Sequence, residues 1–110
     1  MFGTFIIDFQ TIDFDPDAKI ARTFFAALES TCKINNAYAL DEPVQRAGWS
    51  FAKLFLSGEF ADRIYSLNSH EIDAAKGKKV EDKMITWLGN RLKNLKCQAQ
   101  IKMAPEMKSL

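Results

Sequence analysis

Residues 41–58 read DEPVQRAGWSFAKLFLSG, and the way this stretch folds decides how much of the chain is helix and how much is sheet. Asp41-Glu42-Pro43 has the chemistry of a helix start: carboxylates favour an N-terminal turn and proline suits its first position. Wound at about 100° per residue, Val44, Ala47, Gly48, Phe51, Leu54, Phe55 and Leu56 cover a wide apolar arc with Trp49 at its margin. Only Arg46, Ser50, Lys53 and Ser57 form a polar stripe, and Gly58 marks the stop. The pattern predicts a second helix to Ser57. A helix apolar over so much of its circumference belongs at the centre of a fold or under a partner. Gly48 inside it points to close approach of another backbone.

On the N-terminal side, Asp15-Pro16 predicts an earlier helix start, with Asp15 as the cap. In that helix Ile20, Ala21, Phe24, Phe25, Leu28 and Cys32 share one side, and Lys19, Arg22, Glu29, Ser30 and Lys33 the other. Asn35 and Asn36 tolerate left-handed backbone and predict its end. Ahead of it, Phe2 to Phe14 reads as a strand: Phe5, Ile7 and Phe9 alternate with Thr4, Asp8 and Gln10. The apolar parity then reverses at Ile12 and Phe14, which a bulge or bend near Gln10–Thr11 explains, with a straight strand apolar on both faces as the alternative.

On the C-terminal side, Phe60, Ile64 and Leu67 have helical spacing, so residues 59–67 are expected to be helical. Asn68 and Glu71 resemble a capping box for a short turn leading to Lys76-Gly77. A longer helix follows from about Lys79 to Lys96, with Val80, Met84, Trp87, Leu88, Leu92 and Leu95 inward. Cys97, Ala99, Ile101 and Met103 then alternate with Gln98, Gln100 and Lys102 as a strand that Pro105 ends. Pairing this strand with the N-terminal one protects an edge of each. The expected architecture is a small α+β domain over residues 1–104 with a frayed tail at 105–110. An N-terminal strand, three or four helices and a C-terminal strand complete a minimal sheet, which helices cover or a second chain extends.

The chain has 110 residues, 47% hydrophobic and 26% charged, with a net charge of +1. Such a composition excludes disordered, collagen-like and disulfide-dense classes, and no apolar run approaches the roughly 18 residues of a membrane span. Nine Phe and two Trp make the expected core aromatic. Cys32 and Cys97 match no metal or redox spacing, so buried free thiols in a reducing cytoplasm are expected. The N-terminus lacks the basic region of a signal peptide, which agrees with a cytoplasmic location. Charge is uneven: residues 1–62 carry −4 and residues 63–110 carry +5, a distribution that suits a polar interaction surface or self-association.

Motifs for catalysis are absent. The glycines (3, 48, 58, 77 and 89) form no phosphate-binding loop, and no nucleophile elbow occurs. His70, the only histidine, has Glu71 and Asp73 nearby but not at a metal-ligand spacing; it reads as an exposed residue in a helical turn. Asp13, Asp15 and Asp17 lack the closing ligands of a cation loop and read as helix-terminal carboxylates. The surface that draws attention is the last helix and its lead-in. Lys76, Lys78, Lys79, Lys83, Asn90, Lys93 and Asn94 present a lysine-rich side suited to phosphates and base edges, interrupted by Glu81 and Asp82. Arg91 falls among Trp87 and Leu88, where it either packs its stem and stacks on Trp87 or anchors an anionic group of a partner. The leading expectation is a non-enzymatic adaptor or regulatory (inhibitory) protein without cofactor or metal. It acts by protein–protein contact and self-association, as a homodimer. Nucleic-acid binding through the lysine face is the alternative, and a small enzyme using His70 the third.

Overall fold

The computed structural model describes residues 2–105, so most of the expected frayed tail, residues 106–110, lies outside the described residues. Among the described residues the order is β1 (Phe5–Thr11), α1 (Phe14–Cys32), β2 (Tyr38–Leu40), β3 (Val44–Arg46), β4 (Trp49–Leu56), α2 (Gly58–Asp73), α3 (Val80–Asn94) and β5 (Gln100–Met103). The fold is α+β. All strand pairs are antiparallel, in the order β2–β4–β1–β5, with β3 also pairing β4.

The second helix expected from Pro43 to Ser57 is a β-hairpin instead. Arg46 pairs with Trp49, so Ala47-Gly48 is a two-residue turn with φ of 53° and 82°, the doubly left-handed form that matches strand twist. From Trp49 to Leu56 burial alternates strictly: Ser50, Ala52, Leu54 and Leu56 are inside, and Trp49, Phe51, Lys53 and Phe55 are on the other face. Helical spacing was an accident of Leu54-Phe55-Leu56, three apolar residues on two faces of one strand. The minimal sheet thereby grows to five strands, with β4 central rather than helical.

β1 runs in uninterrupted register from Phe5↔Leu56 to Thr11↔Ser50, so it has no bulge. The parity reversal has another cause: the strand ends at Thr11, Ile12 is exposed, and Phe14 reaches the core from the first turn of α1. There its ring meets Phe9 edge-on at 6.2 Å between centroids. Helix α1 starts two residues earlier than expected, after Asp13 rather than Asp15. Pro16 falls within the first turn, where a missing N–H leaves no bond unmade. The helix also ends before Asn35. Lys33, at φ 56°, donates to the Ser30 carbonyl, and Ile34 donates to that of Glu29. This is a left-handed helix closure without glycine. Arg63 of α2 adds Nη1 bonds to the carbonyls of Cys32 and Lys33 at 2.8 and 2.9 Å.

Residues 59–67 are helical, as expected, inside α2. Gly58 begins this helix rather than ending one, with Ser57 Oγ accepting the Phe60 N–H. Asn68 is a kink (φ −132°) whose amide donates to the Ile64 carbonyl, and Glu71 turns to α3, so the expected capping box does not form. In α3 Met84, Ile85, Trp87, Leu88 and Leu92 are buried; Leu95 follows the last turn and is 49% exposed. β5 pairs with β1, as expected for the two chain-end strands; the pairing is antiparallel and starts at Gln100 rather than Cys97.

The helices pack on one face of the sheet. Phe5, Ile7 and Phe9 of β1, Leu54 and Leu56 of β4, and Phe25, Phe60, Ile64, Ile72, Met84, Leu88 and Leu92 of the helices form one buried cluster. Removing a ring such as Phe9 or Phe25 from it costs about 3–5 kcal/mol. Among the described residues no helix lies on the opposite sheet face.

Candidate interaction surface

The helix-free face of the sheet is built by alternation. Because Phe5, Ile7, Phe9 and Thr11 point to the helices, Ile6, Asp8 and Gln10 point away, and the same parity turns Trp49, Phe51, Lys53 and Phe55 outward on β4. Large apolar side chains stand in the open here: Val44 is 60% exposed, Ile6 42%, Trp49 37% and Phe51 36%. Scattered singly they would mean little, but strand register makes them neighbours. Val44 faces Phe51, Phe51 faces Gln10 and Gln10 faces Gln100. One pleat away, Ala39 faces Phe55 and Phe55 faces Ile6.

Between these two rows lies a charged one. Lys53 ion-pairs with Asp8, its cross-strand partner. Asp8 is also opposite Lys102 of β5. On the other flank Asp41 brackets the Lys53 peptide: its backbone N–H donates to the Lys53 carbonyl at 3.0 Å, and its Oδ1 accepts the Lys53 N–H at 2.7 Å. Across the sheet the order is therefore Asp41, Lys53, Asp8, Lys102, alternating in sign. Among the described residues neither Asp41 nor Lys102 has an ion-pair partner within the chain.

Asp41, Glu42 and Pro43 are an irregularity that shapes this face. β2 ends opposite Leu54 and β3 begins opposite Phe51, so three residues stand against Ala52 and Lys53. The extra residue is a bulge. Beside it opens a concavity of about 470 Å³ lined by Asp8, Gln10, Asp41, Val44, Phe51 and Lys53 among others.

The α3 set is dispersed by comparison. Lys76, Lys78 and Lys79 are exposed in the α2–α3 connection. Lys83 is half-buried and its Nζ donates to the Asp73 carbonyl at 3.2 Å. Asn90 and Lys93 border a shallow groove of about 680 Å³ between α3 and β5, together with Lys96 and Gln98. Asn94 is exposed. Arg91 is committed inside the chain: its guanidinium lies 4.9 Å from the Trp87 ring centroid and 2.8 Å from Glu71 Oε2, which also accepts Trp87 Nε1–H at 3.2 Å. The Trp87 N–H, and then Arg91, hold the Glu71 carboxyl below its ordinary value.

Asp17 is buried, accepting the Thr11 hydroxyl and, at 3.0 Å, the Gln98 N–H. Burial pushes the Cys32 and Cys97 thiols above their ordinary value, which disfavours the thiolate nucleophile. His70 is exposed near the end of α2. Tyr65 donates to Asp73 at 2.8 Å, and this hydrogen bond raises the phenol's pKa. Among the described residues no helix is long and apolar enough to cross a membrane.

Comparison of the chain with protein-family models, curated proteins and solved structures finds no match. The surface is therefore read from its own geometry. Val44, Trp49 and Phe51 were visible in the sequence as excess apolar residues, but on a helix; Ile6, Lys53, Asp8, Asp41 and Lys102 were not singled out. The signal that finds them is the inside set Ser50, Ala52, Leu54, Leu56 at period two, preceded by a glycine turn.

Proposed function

We propose that this chain is a non-enzymatic interaction module that binds protein through the open face of its sheet. The observation that carries the reading is the group Val44, Phe51, Trp49 and Ile6, exposed together on a face that no helix covers among the described residues. Aromatic residues enclosed by polar ones are the common make-up of an interface centre. The ionisable lining of the same concavity, Asp8, Asp41 and Glu42 with Arg46 and Lys53, holds more acid than base, which favours protein over the phosphates of nucleic acid. The second reading, nucleic acid on α3, draws on exposed Lys76, Lys78, Lys79 and Lys93.

Photo-crosslinking in an extract of the source cells tests the choice, with p-benzoylphenylalanine at position 51 or at position 90 of the full chain. Position 51 is expected to give discrete protein adducts, identified by mass spectrometry and lost with Val44→Asp. Nucleic-acid adducts at position 90 that disappear with Lys79→Glu, Lys83→Glu and Lys93→Glu, together with none at position 51, overturn the reading.

A further inference from the structure

We infer that the occupant of this sheet face is a second copy of the same chain, docked about a two-fold axis parallel to the strands. The inference rests on the reading of the face as a protein-binding surface and adds the identity and geometry of the partner. Its basis is the charged row Asp41, Lys53, Asp8, Lys102, with neighbouring strands about 4.8 Å apart. Two sheets facing each other bring face to face either like or unlike charges, depending on the axis. An in-plane two-fold across the strands lays each row on itself in the same order, Asp41 on Asp41 and Lys102 on Lys102. An in-plane two-fold along the strands reverses the order. Asp41 then meets Lys102 of the second copy, Lys53 meets Asp8, and all four contacts are attractive.

The flanking rows fit the same operation. With the axis between β4 and β1, Phe55 lies over Ile6 of the other copy, and Phe51 and Val44 lie over the aliphatic stems of Gln10 and Gln100. Strands of the two sheets run nearly aligned, as in face-to-face sheet packing. A two-fold interface uses each contact twice, so a modest Asp41–Lys102 attraction counts double. The same pairing supplies the ion-pair partners that Asp41 and Lys102 lack among the described residues of one chain.

A double-mutant cycle on the full chain tests this by sedimentation equilibrium. Asp41→Asn keeps an acceptor for the Lys53 N–H, and Lys102→Gln alters only an exposed tip, so both variants are expected to keep the wild-type circular dichroism. The wild type is expected to dimerise. Each single variant should raise the dimer dissociation constant roughly five-fold, the loss of two exposed ion pairs. The double variant should be no weaker than either single one, and Lys102→Glu should be weaker than Lys102→Gln. A wild type that stays monomeric at every concentration, or single effects that simply multiply in the double variant, overturns the inference. A monomer whose position 51 still crosslinks another protein sinks the self-pairing alone. A monomer with nucleic-acid adducts only at position 90 sinks both readings.

Discussion

The buried carboxylate of Asp17 accepts the backbone N–H of Gln98 at 3.0 Å, fastening the first turn of α1 to the entry of β5 across 81 positions of chain. The Thr11 hydroxyl donates to the other oxygen of the same carboxylate. One side chain thus joins the end of β1, the start of α1 and the last strand. Asp17→Ala leaves the Gln98 N–H and the Thr11 hydroxyl without this partner. The expected loss is about 1–3 kcal/mol for each unmet buried group. Urea unfolding measures the total, and amide exchange should show the Gln98 N–H losing protection first. Unchanged protection at Gln98 would contradict the fastening role.

Glu71 predicts a pH effect. Its carboxyl is held below the ordinary value of about 4.3 by the Trp87 N–H and by Arg91. A folded-state pKa that is depressed contributes stability above the unfolded pKa, and that contribution is lost as pH falls through the folded one. The stability difference between wild type and Glu71→Gln should therefore be constant near neutrality and shrink on acidification below about 4.3. Urea titrations at stepped pH measure it. A difference that grows on acidification gives the wrong sign.

Gly58 is where a side chain meets backbone. A Cβ there would lie 2.2 Å from the Phe2 carbonyl oxygen, in a segment anchored by the Phe2 N–H to Asp62 Oδ1 at 2.9 Å. Gly58→Ala should displace the N-terminal segment and its edge-on ring contacts with Phe5 and Tyr65. The expected cost is about 1–3 kcal/mol. Equal unfolding midpoints for variant and wild type would show that the segment yields freely.

Ala47 is the one alanine with positive φ, 53°, at the first position of the hairpin turn. Ala47→Asn creates the preferred residue pair with Gly48 and should raise stability by about 1 kcal/mol. For a domain of this size that is a thermal midpoint roughly 4–8 °C higher. Gly48→Ala should move it the other way. If both substitutions lower the midpoint, the turn is not of this form.

Legibility in the sequence followed how cleanly each residue's environment was one-sided. α1 was readable from Ile20, Phe25 and Cys32 because solvent and core divide its circumference, and the β1–β5 pairing followed from two alternating strands at the chain ends. The stretch 41–58 was not, because β4 is apolar on both faces: Leu54 and Leu56 serve the core while Phe51 and Phe55 stand on the open face. That two-sidedness is also what leaves apolar side chains on the helix-free face. The feature that hid the strand is the one that builds the candidate surface. Arg91 was legible in part, since its stacking on Trp87 follows from helical spacing, whereas its pairing with Glu71 joins α3 to α2 and no spacing within one helix shows it.

The three-against-two stagger at Asp41–Pro43 has a consequence for assembly at high concentration. An outermost strand templates another only where successive N–H and C=O groups stand in even sequence, and here one extra residue and a proline without an N–H break that sequence. Fibrillar growth needs two competent rims per molecule, one to receive and one to offer. With the β2–β3 rim blunted, rim-to-rim joining can proceed only through β5, and two copies joined there leave no free end to propagate. The stagger thus acts as a chain terminator, sparing a protein rich in exposed aromatic strand from polymerising into ribbons.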